Sequence, residues 1–187
     1  NRAISGTYPP GSTFKLVVAI SALEGGAITP STKIEDTGVI TVNNFSFGNW
    51  YYLSYGGKDG FLDVVGAIKR SNDIFFYKMG ELAGVDRIKK TSQQFGLGKQ
   101  LGIDLQGEES GLVPDPSWKQ KTIGEDWYLG DSYHLGIGQG YLLVTPLQVN
   151  FWTSVFANRG TLFKPHILYE EKAEVIKENL AQKEYLD

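Results

Sequence analysis

A serine and a lysine three residues apart, Ser12 and Lys15 in the stretch YPPGSTFK, have the types and spacing to do chemistry. A serine hydroxyl is a weak nucleophile until a base within hydrogen-bond reach takes its proton, and a lysine serves as that base only when burial or a second cation lowers its pKa. Residues at i and i+3 share one face of a helix, so a helix opening at Ser12 would place the Lys15 amine one turn from the hydroxyl. The positive end of that helix favours oxyanion character at Ser12. Taken alone, however, Ser-x-x-Lys is also what an N-capping serine and a surface lysine look like.

A second polar cluster, Ser71-Asn72-Asp73, stands further along the chain. All three residue types favour turns and helix N-caps, so the cluster reads as a corner between two helices that presents polar side chains. Other chemistry is thinner. Cysteine is absent and His134 and His166 have no partner at ligand spacing, so neither a metal nor another cofactor is expected. Gly136, Gly138 and Gly140 lack the surroundings and the lysine of a phosphate loop and read as a backbone that turns tightly near a site. Glu108 and Glu109 lie in a Gly-rich turn and form no acid–base pair, Lys121 reads as a loop lysine, and Trp50, Tyr51 and Tyr52 read as aromatic packing on a hairpin.

The elements that must position these residues follow from periodicity. Ser12 to Glu24 reads as a helix led in by Pro9-Pro10-Gly11 and stopped by Gly25-Gly26. Lys33 to Tyr55 is β-branched and aromatic, broken by Asn43-Asn44 and Gly48-Asn49, and reads as short strands or a hairpin. Phe61, Val64, Val65 and Ile68 predict an amphipathic helix ending near Arg70, followed by helices over 74–83 and 85–94. Residues 96–141 are rich in Gly, Pro, Asp and Trp and read as mostly irregular, with one or two short strands. Thr145-Pro146-Leu147-Gln148 is a capping box with proline at the first helical position, predicting a helix to about Asn158. Thr161 to Tyr169 reads as an edge strand, and residues 170–187 as a surface helix or connector.

Composition limits the function classes. The 187 residues are 41% hydrophobic and 13% aromatic, suiting one globular domain or a large part of one. The 18 Lys+Arg against 21 Asp+Glu give a net charge of -3, and no basic stripe is present to neutralise a phosphate backbone, so nucleic acid is not an expected partner. The longest apolar run, Leu16 to Leu23, is far short of the roughly 18 residues that span a membrane. A chain beginning at Asn1 reads as a piece of a longer protein.

Four segments together resemble one family. YPPGSTFK is similar to the nucleophile motif of the penicillin-binding proteins, which carry Ser-x-x-Lys with Ser-x-Asn and Lys-Thr-Gly motifs. RSNDIFFYKMGELAG resembles the Ser-x-Asn corner, with Ser71 in the serine position and Asp73 in that of the asparagine. FGLGKQLGIDLQGEESGLVPD and GIGQGYLLVTPLQV are similar to segments beyond that corner in class B members, in matching order, to about Leu168. Aspartate at 73 resembles the variant of the elongation-type, rod-shape branch, that of penicillin-binding protein 2. No Lys-Thr-Gly follows GIGQG; Lys121-Thr122-Ile123 precedes it and is a decoy.

The resemblance implies an α+β transpeptidase fold shared with serine β-lactamases, here its helical subdomain and part of the sheet-bearing region. Residues 1–187 would be part of one transpeptidase domain. It implies a peptidoglycan D,D-transpeptidase: Ser12 attacks a stem peptide ending in D-Ala-D-Ala, Lys15 takes its proton, Ser71 relays a proton, and Asp73 positions Lys15 or the substrate. β-Lactams would acylate Ser12. An ionised Asp73 beside Lys15 would hold the lysine charged and weaken it as a base. A membrane anchor outside these residues, a catalytic domain on the extracytoplasmic side and partners in the cell-wall elongation machinery are implied as well. A serine β-lactamase and a β-lactam sensor remain alternatives, and without the Lys-Thr-Gly strand the 187 residues alone are expected to be inactive.

Overall fold

Leu16 to Leu23 carries no charged side chain, and a helix apolar on every side is stable only at the centre of a domain. In the computed structural model, which describes residues 1–169 and 172–186, this run is helix α2 (Lys15–Glu24) and is buried almost throughout. Helices α4 (Val64–Arg70), α5 (Asp73–Ala83) and α6 (Val85–Gln94) pack around it. The helix expected to open at Ser12 opens differently: Gly11–Phe14 is a 3-10 turn, and α-helical geometry starts at Lys15. Phe14 anchors this turn, fully buried and edge-on to Trp152, a placement that contributes about 3 kcal/mol.

Three small antiparallel pairs supply the strands among the described residues. Strand β1 (Ile34–Asp36) pairs with β4 (Gly60–Leu62), and β2 (Val39–Val42) forms a hairpin with β3 (Phe45–Gly48) in the register Val42 opposite Phe45. The aromatic run expected on that hairpin is instead helix α3 (Trp50–Tyr55), closed by Gly56 in the left-handed conformation. Phe61 lies on β4, so the following helix begins only at Val64, capped by the Asp63 side chain.

Residues 96–141 are less irregular than composition predicts. Asp115 caps α7 (Pro116–Thr122), with proline at the first helical position, and α8 (Leu129–Gly136) follows. Gly80 on α5 and Gly136 on α8 let those two helices meet backbone to backbone: a Cβ at either glycine would run into a carbonyl oxygen of the other helix. Local composition misses this because the close contact, not local propensity, sustains α8. The Thr145 capping box opens α9 (Pro146–Ala157) as expected. The strand expected over 161–169 shrinks to β5 (Leu162–Phe163), with Pro165 outside it. Its partner is β6 (Val175–Lys177), in the segment expected to be helix or connector, where α10 (Lys183–Leu186) is helical. Glu170, Glu171 and Asp187 of that segment lie outside the described residues. A short N-terminal helix, α1 (Arg2–Ser5), packs against α9.

Candidate active site

The 3-10 turn does local work for Ser12 and Lys15. The Lys15 N–H donates to the Ser12 carbonyl, an i to i+3 bond that closes the turn and puts residue 15 one turn behind residue 12. Ser12 is exposed, while the Lys15 side chain is 3% exposed. The turn is held by backbone. Gly11 N–H donates to the Gly138 carbonyl at 2.9 Å, and Tyr8 exchanges two backbone hydrogen bonds of 2.9 Å with Val144. Gly138 has φ +73, and a Cβ there would collide with the Gly11 carbonyl oxygen and Phe14. The GIGQG glycines therefore do turn tightly beside the site.

Lys15 crosses to the second polar cluster. Its Nζ donates to the Ser71 carbonyl at 2.7 Å, to Asp73 Oδ1 at 2.7 Å and to Ser71 Oγ at 3.2 Å. Three acceptors match the three protons of an ammonium group. No hydrogen bond joins the Lys15 amine to the Ser12 side chain among the described residues, so the amine is seated against the corner and not against the serine. Burial lowers the Lys15 pKa from its ordinary 10.5, and this outweighs the opposing charge and hydrogen bond of Asp73. Asp73 faces the site without reversing the effect of burial on Lys15.

The corner has its own geometry. Ser71 ends α4 in the left-handed conformation, φ +50, with the Ser71 and Asn72 N–H groups returning to Ile68 and Ala67 carbonyls. Glycine is usual there, and a serine with a Cβ costs about 1 kcal/mol more. That strain turns the Ser71 carbonyl and hydroxyl together toward Lys15, a placement typical of functional positions. Asn72 then caps α5, its side chain accepting from Phe75 N–H at 2.9 Å.

The departure from asparagine at position 73 has a physical reason. Asp73 Oδ1 accepts from Lys15 and Oδ2 accepts from the Trp50 N–H at 3.0 Å. Both neighbours are donors, so an amide would turn its own NH₂ toward one of them. The carboxylate also raises the pKa of Tyr77, one turn along α5, although burial there is the larger cause.

The remaining candidates fall away from the site. Glu108 is buried and accepts from the N–H groups of Leu101, Gly102 and Ile103 at 2.6, 2.9 and 3.2 Å, so it organises a loop, and Glu109 is exposed. His134 packs edge-on to Phe47, and His166 Nδ1 bonds the Leu168 carbonyl. Lys121 is exposed on α7. Trp50 and Tyr52 are partly exposed, and Trp50 Nε1 donates to the Arg70 carbonyl at 3.0 Å. An apolar groove of about 570 Å³ lies beside the hairpin and α8, lined by Phe45, Phe47, Tyr128 and His134 but by none of Ser12, Lys15, Ser71 and Asp73. No group of three or more metal-ligating side chains occurs among the described residues, and no helix there is long and apolar enough to cross a membrane.

Trp50, Asn49 and Asp36 are the neighbours of the corner that sequence reading misses. Asn49 Oδ1 accepts the Asp73 N–H at 3.1 Å, and Asp36 receives the other side of the Asn49 amide at 2.9 Å. Only the Asn72 cap carried a signal, as a turn-forming residue between two helical periods.

Comparison with known proteins adds the family. The profile of the penicillin binding protein transpeptidase domain matches residues 1–186. The chain is 40% identical over 175 residues to the peptidoglycan D,D-transpeptidase MrdA of Salmonella typhimurium, covering 92% of this chain and 27% of that protein. It thus spans about a quarter of the length of the curated relatives it matches. Among solved structures it resembles PBP2 of Helicobacter pylori in complex with MreC, with a TM-score of 0.88 and 36% identity over all of this chain and 34% of that one. It also resembles Pseudomonas aeruginosa PBP2 in complex with WCK 5153, with a TM-score of 0.85 and 34% identity over all of this chain and 43% of that one.

Proposed function

The chain belongs to the penicillin-binding protein transpeptidase family, among the class B members related to PBP2, and we propose that the protein carrying it is a peptidoglycan D,D-transpeptidase with Ser12 as its nucleophile. The observation that carries this reading is the buried Lys15 amine, held by Ser71 and Asp73 one turn behind an exposed serine.

The chemistry follows from those contacts. A neutral Lys15 keeps two donor bonds, to the Ser71 carbonyl and Asp73, and frees a lone pair for a hydroxyl proton. Ser12 Oγ attacks the penultimate D-Ala carbonyl of a stem peptide and its proton passes to Lys15. The tetrahedral oxyanion forms at the positive end of α2, where the Ser12 N–H is one donor to it. As the peptide C–N bond breaks, Ser71 Oγ, 3.2 Å from Lys15, hands a proton to the leaving D-Ala nitrogen and is reprotonated from Lys15. A neighbouring stem-peptide amine then attacks the Ser12 ester, losing its proton by the same route, and the cross-link forms with the serine restored. No cofactor enters these steps. β-Lactams acylate Ser12 because their strained amide stands in for the donor.

The reading extends to setting and partners. PBP2 relatives support a membrane-associated enzyme working in the cell wall, with its transpeptidase domain outside the cytoplasmic membrane. The PBP2–MreC complex supports a partner of that kind in the elongation machinery. Against a β-lactamase stands Glu108, whose carboxylate is taken up by three backbone N–H groups and not available to activate water. A chromogenic β-lactam offered to the full-length protein is expected to give one equivalent of ring opening and then stop; sustained fast hydrolysis would contradict the transpeptidase reading. The 187 residues alone are expected to give no burst.

A further inference from the structure

We propose that Asp36 is a positioning residue for the Lys15–Asp73 pair, orienting the Asn49 and Asn72 amides so that they fix the first turn of α5. The proposal rests on the reading of Ser12 as nucleophile and Lys15 as its base. Asp36 ends β1, 3% exposed, and lies 36 residues before the Asn72 amide it holds.

Its carboxylate accepts four N–H bonds. Oδ1 takes Gly38 N–H at 2.8 Å, and Oδ2 takes Asn49 Nδ2 at 2.9 Å, Asp59 N–H at 2.9 Å and Asn72 Nδ2 at 3.0 Å. A carboxylate only accepts, so both amides must turn their NH₂ groups toward it. Their carbonyl oxygens then face the other way, which is where α5 begins. Asn49 Oδ1 receives Asp73 N–H at 3.1 Å, and Asn72 Oδ1 receives Phe75 N–H at 2.9 Å. Two of the N–H groups at the start of α5 are thereby satisfied by amides that Asp36 orients, Asn49 through Asp36 and Asn72 through Asp36 together with Asp59.

The same junction sets Asp73 from its other side. Asn49 is followed directly by Trp50, whose N–H holds Asp73 Oδ2. Fixing Asn49 therefore fixes both the backbone of residue 73 and the donor that orients its carboxylate, leaving Oδ1 for Lys15. The second acid of the junction is balanced: Asp59 pairs with Arg70 at 2.8 Å and shares the Asn72 amide at 3.2 Å. The charged groups around Lys15 are Asp73 in contact on α5, with Asp36, Asp59 and Arg70 behind Asn72; Tyr77, further along α5, is held neutral. Asp36 acts on Lys15 only through the amides.

The test is the rate of acylation by a fluorescent penicillin against pH, in the full-length protein and its variants, alongside thermal melts. For Asp36→Ala the plateau rate is expected to fall roughly 100-fold, the scale of a misplaced catalytic group. The acid limb is expected to move to lower pH, because Asp73 raises the Lys15 pKa and would be partly withdrawn. Asp36→Asn keeps one oxygen for the three Oδ2 donors and is expected to stay within about 3-fold of the parent with its limb in place. Should Asp36→Ala not fold, Asn49→Ala, which releases the Asp73 N–H, carries the same expectation and decides the question. An unmoved limb with a rate lowered only as far as the folded fraction would overturn the proposal. A parent protein that takes no label, or takes it equally in Ser12→Ala, would instead overturn the reading of the site.

Discussion

The Ser12 turn and the Ser71–Asp73 corner face each other across one site and are held in opposite ways. Gly11 and Ser12 are fixed by backbone hydrogen bonds and apolar packing: the Gly138 contact, the Tyr8–Val144 bridge and the buried Phe14 place the turn, and no side-chain hydrogen bond to the Ser12 hydroxyl occurs among the described residues. The corner is fixed through side-chain hydrogen bonds: Asp36 holds the Asn49 and Asn72 amides, Asn49 takes the Asp73 N–H, and the Asp73 carboxylate takes the Trp50 N–H. The Ser12 turn should therefore be sensitive to bulk and indifferent to charge. The corner should be sensitive to which atoms donate and which accept, with little response to size.

The largest effect expected is at the junction of the two. Lys15→Ala should slow acylation by labelled penicillin about 10³-fold or more, within the range for loss of a general base. In the parent, the rate should rise with pH along a limb centred below the ordinary lysine value of 10.5, since burial lowers the Lys15 pKa. The linkage has a matching sign. Between that lowered pKa and 10.5 the unfolded chain binds more protons, so the parent should gain stability relative to Lys15→Met as pH rises through this window. Melting temperatures measured across alkaline pH would check it, and a parent that loses ground to the variant there would contradict it.

Bulk should break the turn next. Gly138→Ala places a Cβ against the Gly11 carbonyl at a positive φ, and should cost about 2–4 kcal/mol in a denaturation curve. Charge-neutral replacement should hurt the corner more gently. Asp73→Asn turns an NH₂ toward Lys15 or the Trp50 N–H and should cost about 2 kcal/mol, read in the same way. The smallest effect is the most discriminating. Ser71→Gly should raise stability by about 1 kcal/mol by relieving the left-handed strain, whereas Ser71→Ala should not, although both lose the same hydroxyl in an acylation assay.

The difference between the regions also explains what was legible. Ser12, Lys15, Ser71 and Asp73 are suggested by type and local spacing and singled out only by the family resemblance, whereas the Thr145 capping box and the apolar α2 are local signals that the structure bears out. The 3-10 opening of α2 was invisible because Gly138, far along the chain, holds that turn. Helix α8 hides in a Gly-rich stretch because its packing on Gly80 of α5 is a tertiary fact. Helix α3 reads as strand because its aromatic residues favour strands, while the Asp73–Trp50 bond that sets its first turn joins distant residues. Asp36 is the extreme case: a lone aspartate at a strand end whose partners come from four other places.

The central claim is that the hydroxyl at position 12, and no other, becomes the ester. Labelling the full-length protein with benzylpenicillin, digesting it and mapping the adduct by mass spectrometry tests this directly. The account predicts one adduct, on the peptide containing Ser12, lost in Ser12→Ala and formed slowly in Lys15→Ala. An adduct on Ser71, or labelling that survives Ser12→Ala, would contradict it.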